Sequence, residues 1–207
     1  MSAPGLGFTR AELRVLRHLS TPEKIQRFLD EEVLYDPGEN CRSPRVLLRD
    51  RRGHCVEGAM LAAVALRLQG EPPLVLDLKA TRDYDHVIAL FRRDGLWGAI
   101  GKSNFTGLRY REPVYKSLRE LAMSYFEHYF NARGERTLRG YSRPVNLSRF
   151  DSTGWMTAEE EPWHIPNHLV TVAHTPLIPR HVARRLTPLD RHMRAASQFG
   201  VSRSLAG

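Results

Sequence analysis

Cysteine and lysine are both scarce in this 207-residue chain: two cysteines, Cys41 and Cys55, and four lysines among 31 basic residues. Two cysteines exclude the disulfide framework that staples small secreted domains, and they suit a reducing compartment. Long apolar runs are missing too, none approaching the ~20 residues of a membrane span. The opening "MSAPGLGFTRAELRVL" has no basic segment leading into an apolar one, so no secretory signal is expected, and cytoplasm is the expected location. Internal repeats and low-complexity tracts are absent from the sequence. With Lys24, Lys79, Lys102 and Lys116 the only lysines, the net charge of +8 is carried by arginine. Such a charge invites a nucleic-acid reading. The arginines, however, are scattered from end to end, and no RNP-like strand, zinc knuckle or Gly/Arg-rich tail accompanies them. An arginine-rich RNA-binding protein is therefore the least favoured of three readings.

What is present suits a soluble globular chain, 42% apolar and 26% charged. Residues 1–150 are expected to form the main domain, and 151–207 a C-terminal extension packed on it or trailing from it. Thr9 to Glu12 has the form of a capping box ahead of a helix through about Leu19. Thr21-Pro22 opens a second helix, "PEKIQRFLDEEV", with Ile25, Phe28 and Leu29 on one face. "YDPGENCRSP" reads as loop and "RVLLRDRR" as a short apolar turn. A Gly/Ala-rich helix then runs from about Cys55 to Gly70, its C′ cap. "LVLDLKA" reads as a strand, and "DHVIALFRRDGLWGAIGKS" as a hairpin around Asp94-Gly95. "EPVYKSLRELAMSYFEHYFN" reads as a long helix with Val114, Leu118, Leu121, Tyr125 and Tyr129 on one stripe. "LRGYSRPVNLSRFDSTGWMT" reads as a surface loop, and one more helical patch falls near Arg180 to Phe199. The expected class is α+β.

Cys55 is expected in the first turn of its helix, where unpaired N–H groups and the helix dipole favour a thiolate. His86 opens a strand whose Ile88 and Leu90 share its face, which is the placement a Cys–His pair requires. A third group should orient the imidazole. A two-residue turn puts His86 opposite Ser103; a four-residue loop puts it opposite Gly101. Ser103 is the best side-chain candidate and Asn104 the next, since Asp85 points to the other side of the strand.

On these residues the chain resembles the transglutaminase-like superfamily, which has a papain-type fold. The matching pieces are "GHCVEGAMLAAVAL" around Cys55, "DHVIALF" around His86 and "GLWGAIGKS" around Trp97, spanning about Ser43 to Asn104. "KSNFTGLRYREPVY" and "LRELAMSYFEHYFN" resemble a bacterial subgroup. The resemblance implies an α+β, papain/transglutaminase-like domain, with the cysteine helix packed against a small antiparallel sheet and helices flanking it. It also implies acyl transfer or amide hydrolysis through a thioester, on a peptide or small amide, with no cofactor or metal. The superfamily's "W-x-x-x-D-P" places Gly101 where its Asp stands, so Cys55 and His86 carry over and the Asp does not. A non-catalytic scaffold binding a peptide or protein partner is thus the competing reading.

Other residues carry less. Glu57 is a first-turn charge about 200° from Cys55, His54 is expected to point away from the thiol, and Cys41 to be a free thiol. Trp97 is read as core before cleft wall. Arg109, Arg111 and Arg119 are read as solvated with local salt bridges rather than as an anion site. His164, His168 and His174 suggest a metal, but Pro166 argues against the helical spacing of a zinc pair.

Overall fold

Capping side chains set the starts of the N-terminal helices in the computed structural model, which describes residues 6–199 and Val201. Residues 1–5, at the start of the expected leaderless terminus, and Gly200 and 202–207, at the end of the expected extension, lie outside the described residues. Thr9 caps α1 (Arg10–His18) through a complete capping box with Glu12, and Thr21 caps α2 (Pro22–Glu31) with Pro22 in the first turn. A two-residue strand β1 (Leu34–Tyr35) follows, then α3 (Pro44–Asp50), capped by Ser43. The expected apolar turn is therefore a helix, started by the same Ser/Thr-Pro signal as α2. β2 (Arg52–Gly53) pairs with β1 and leads into α4 (Cys55–Leu68). Gly70, at φ +89°, closes α4 as its sequence position predicts.

The chain then builds a sheet from β3 (Leu74–Ala80), β4 (His86–Arg93), β5 (Leu96–Ile100) and β6 (Arg111–Tyr115). After α5 (Leu118–Met123) it adds β7 (Leu138–Ser142) and β8 (Val145–Asn146). After α6 (His164–Thr171) come β9 (His174–Pro176) and the short helices α7 (Arg180–Ala183) and α8 (Arg191–Ser197). The order is β6-β5-β4-β3-β7-β9, all antiparallel, with β8 also on β3. With seven strands, this is larger than the small sheet expected.

Two corrections explain the extra strands. Glu112 to Asn131 is not one long helix: β6 pairs with β5, and Ser117 then caps a six-residue helix. Pairing satisfies the outer hydrogen-bonding groups of β5, and Pro113 is tolerated because β6 is an edge. Val114, expected on a buried stripe, is 60% exposed. Nor is 138–157 a surface loop, because β7 lies between β3 and β9. Gly140 permits this, since a Cβ there would stand 2.9 Å from the Thr175 carbonyl oxygen. The expected C-terminal helical patch is split into α7 and α8, with Pro188 between them.

α4 is buried along Ala59 to Leu66, a helix apolar all round. It packs with α1–α3 and with Val75, Val87, Ala89 and Phe91 in one apolar cluster. Leu76, Leu78, Ile88 and Leu90 point the other way, into a second cluster with Leu121 and Tyr125. Trp155, Met156, Ile165, Leu169 and Val172 belong to the first cluster, and a 3-10 helix, Leu147–Thr153, runs across residue 150. Among the described residues no helix is long and apolar enough to cross a membrane.

Candidate active site

The turn into α4 is held by a fully buried carboxylate. Glu57 accepts the His54 N–H at 2.7 Å and the Arg42 N–H at 2.8 Å, and pairs with the Arg42 guanidinium at 3.2 Å. It thereby satisfies an otherwise unpaired donor at the helix start, and its charge suits that end of the dipole. Cys55 is the first helical residue, half-buried and lining a cleft of about 420 Å³.

Two imidazoles reach the thiol. Burial by itself would raise the Cys55 pKa, but hydrogen bonds from His54 and His86, and the charges of both rings, bring it down to about 5. His54 moves the opposite way. Its burial is outweighed by the hydrogen bond and charge of Cys55, with help from Glu57 and the Asn40 carbonyl, and it rises to about 9. His54 therefore does not point away from the thiol, as sequence reasoning had it. Its Nε2 lies 2.7 Å from the Asn40 carbonyl oxygen, and this anchor holds the ring beside Cys55.

His86 opens β4 and is buried, on the face it shares with Ile88 and Leu90. Its Nε2 lies 2.8 Å from the Leu108 carbonyl oxygen. A carbonyl only accepts, so Nε2 carries the proton and Nδ1 is the nitrogen left for the thiol. The ring also meets Tyr125 edge-on, with centroids 6.4 Å apart.

The hairpin takes the two-residue turn, with Arg93 opposite Leu96 and both turn residues at positive φ. Pairing stops at Ala89 with Ile100, before His86 would meet Ser103. The partner of Nε2 is neither Ser103 nor Asn104. Ser103 lines the cleft, but its Oγ accepts the Phe105 N–H at 3.1 Å and its carbonyl accepts from Arg109 Nε at 3.0 Å. Asn104 follows it, half-buried, in the same loop. Asp85 is committed to Lys79 at 2.7 Å and to the Ala80 N–H.

Gly101 does face the imidazole. A Cβ there would stand 3.2 Å from His86 Nε2 and 3.0 Å from the Leu108 oxygen, so glycine makes room for the carbonyl. Gln26 holds this peptide from both sides: its Nε2 donates to the Gly101 oxygen at 2.9 Å, and its Oε1 accepts the Gly101 N–H at 3.0 Å. Next door, Lys102 buries its ammonium against the Leu29 and Val33 carbonyls, and burial lowers it to about 8. Its stem crosses Gly58, where a Cβ would lie 2.4 Å from the Lys102 Cβ. The site's third partner is thus a main-chain oxygen, which has no residue-type signature. His54 was adjacent to Cys55 in sequence, and only its direction was missed.

The remaining candidates are dispersed. Cys41 is a free buried thiol pushed up to about 12 by burial and by Glu57 and Glu161. Arg109 pairs with Asp30 at 3.3 Å, Arg119 donates to the Leu177 carbonyl, and Arg111 ties Gly107 and Tyr110 to Ser124. Trp97 is half-buried in β5 under Arg92 and does not line the cleft. Pro166 lies inside α6, near its start where proline is tolerated, so His164 and His168 do share a helix. His164 meets Thr153, His168 meets Arg149 and His174 meets Asp77, and among the described residues no group of side chains is arranged to hold a metal. No protein-family model and no curated protein matches this chain.

Proposed function

We propose that the chain is a cysteine-dependent acyltransferase or amidohydrolase with a papain/transglutaminase-like core, acting on a peptide or small amide. The observation that supports this best is the Cys55 thiol at a helix start, sharing one cleft with His54 and His86, whose influence lowers its pKa to about 5. The Cys55 thiolate adds to the amide carbonyl carbon. Backbone N–H groups of the first turn of α4 would stabilise the resulting oxyanion, each such donor contributing roughly 2.7–4 kcal/mol in enzymes where one was removed. His86, having taken the thiol proton, returns it to the amine as the C–N bond breaks, leaving a thioester. Water or a second amine then attacks the thioester carbon and regenerates the thiol.

One observation favours the scaffold reading instead. Nε2 of His86 rests on a neutral carbonyl where the superfamily pattern has a carboxylate, so an imidazolium there is less stabilised. Replacing a triad Asp by a neutral group cost ~10⁴ in kcat in one well-studied protease. The test is the pH dependence of Cys55 alkylation in Cys41→Ser protein. The thiolate fraction grows as pH rises through the thiol pKa, so the rate should level off not far above pH 5, against an ordinary thiol near ~8.5. His86→Ala should move that midpoint up. A midpoint near the ordinary value, indifferent to His86, would overturn the enzyme reading. A shifted midpoint without turnover on an amide panel would favour the scaffold.

A further inference from the structure

A second cleft, also of about 420 Å³, opens where β3, β7 and β9 meet α7. Five cationic or ionisable side chains line it: Lys79, Arg139, His174, Arg180 and Arg184. It neighbours the Cys55 cleft across the Lys79–Asp85 ion pair, whose lysine lines one cleft and whose aspartate lines the other. Asp77, buried beneath it, holds His174 Nε2 at 2.8 Å.

Arg139 is the unusual member. The other half-buried arginines are satisfied: Arg42, Arg45, Arg51, Arg67, Arg109 and Arg136 each pair with a carboxylate. Arg111 has four hydrogen bonds and the Tyr125 ring. Arg139 has one bond, to the Leu138 carbonyl, and its charged neighbours are Arg82 and Glu135, a carboxylate already engaged by Arg82 at 2.9 Å. Arg180 and Arg184 have no side-chain partner among the described residues. Gathering unpaired cations in a concavity costs free energy that a bound anion would offset, and guanidinium forks match phosphate oxygens in pairs.

We propose that this cleft binds the phosphate or diphosphate group of a small-molecule ligand. Binding here is independent of whether Cys55 is a nucleophile. The test is calorimetric titration with inorganic pyrophosphate at about 50 mM salt, repeated at about 200 mM, where affinity should fall. Saturable one-site binding is expected, weakened about tenfold in Arg139→Ala and in Arg184→Ala, the loss expected of one charge-assisted hydrogen bond. Arg184 is exposed, so its variant keeps the fold even if Arg139→Ala does not. The Cys55 alkylation rate should be unchanged in both. No binding, or binding indifferent to both substitutions, would overturn the proposal. Equal affinity for citrate would show that the cleft reads charge and not phosphate. Tighter binding of single-stranded RNA, lost in the same variants, would make the ligand a nucleic acid and overturn the small-molecule assignment.

Discussion

At Gly101 a missing side chain decides how the imidazole is held. Placing a carboxylate here by Gly101→Asp will not complete a triad, because the added Cβ falls 3.2 Å from His86 Nε2 and 3.0 Å from the Leu108 oxygen. The loop carrying Leu108 would have to move, and Gln26 holds the Gly101 peptide in place. Gly101→Asp is therefore expected to lose about 1–3 kcal/mol of stability, typical of overpacking, and to slow Cys55 alkylation. Urea unfolding and the alkylation assay together check it. A stable variant with faster alkylation would mean that the carbonyl is a poor substitute the loop readily surrenders. Cys55 and His86 were legible as residues because thiol and imidazole are rare and chemically distinct. The Leu108 carbonyl was not, since every residue carries one.

Helix α4 shows two effects opposed at one position. Gly58→Ala should gain roughly 0.8–1.0 kcal/mol of helix propensity. The new Cβ, however, would approach the Lys102 Cβ to 2.4 Å, and that part of the lysine is fixed because its ammonium is bound to the Leu29 and Val33 carbonyls. Overpacking of about 1–3 kcal/mol should win, giving a net loss in denaturant titration. A gain would show that the Lys102 segment shifts freely. Elements whose signals are local were legible: both threonine caps, the Asp94-Gly95 turn and the Gly70 stop stand where the residues put them. β6 and β7 were misread because their partners, β5 and β3, are distant in sequence. An apolar run bounded by Pro or Gly does not say by itself whether it is helix, strand or loop.

Taken whole, the part of the chain beyond residue 150 packs on the rest. Five side chains beyond it, from Trp155 to Val172, sit in the first core cluster, and β9 extends the sheet through β7. At about 1.5–3 kcal/mol for each buried side chain, their loss rivals a typical total stability of roughly 5–15 kcal/mol. A chain ending at residue 150 is expected to lose its cooperative unfolding transition and native near-UV dichroism. A cooperative transition in that truncated chain would show that the C-terminal part is dispensable. The charge, too, resolves at this scale. Scattered in sequence, ten of the arginines find carboxylate partners among the described residues, and the fold brings Arg139, Arg180 and Arg184 together around one cleft.

The sequence alone determined the α+β class, the start of the cysteine helix, the histidine strand and the turn between β4 and β5, because each depends on residues a few positions apart. Tertiary structure alone decided that His54 joins His86 at the thiol, that Leu108 meets the imidazole across the space left by Gly101, and that seven strands form the sheet. Those outcomes depend on which backbone groups distant segments present to one another, and main-chain groups leave no mark in the order of side chains.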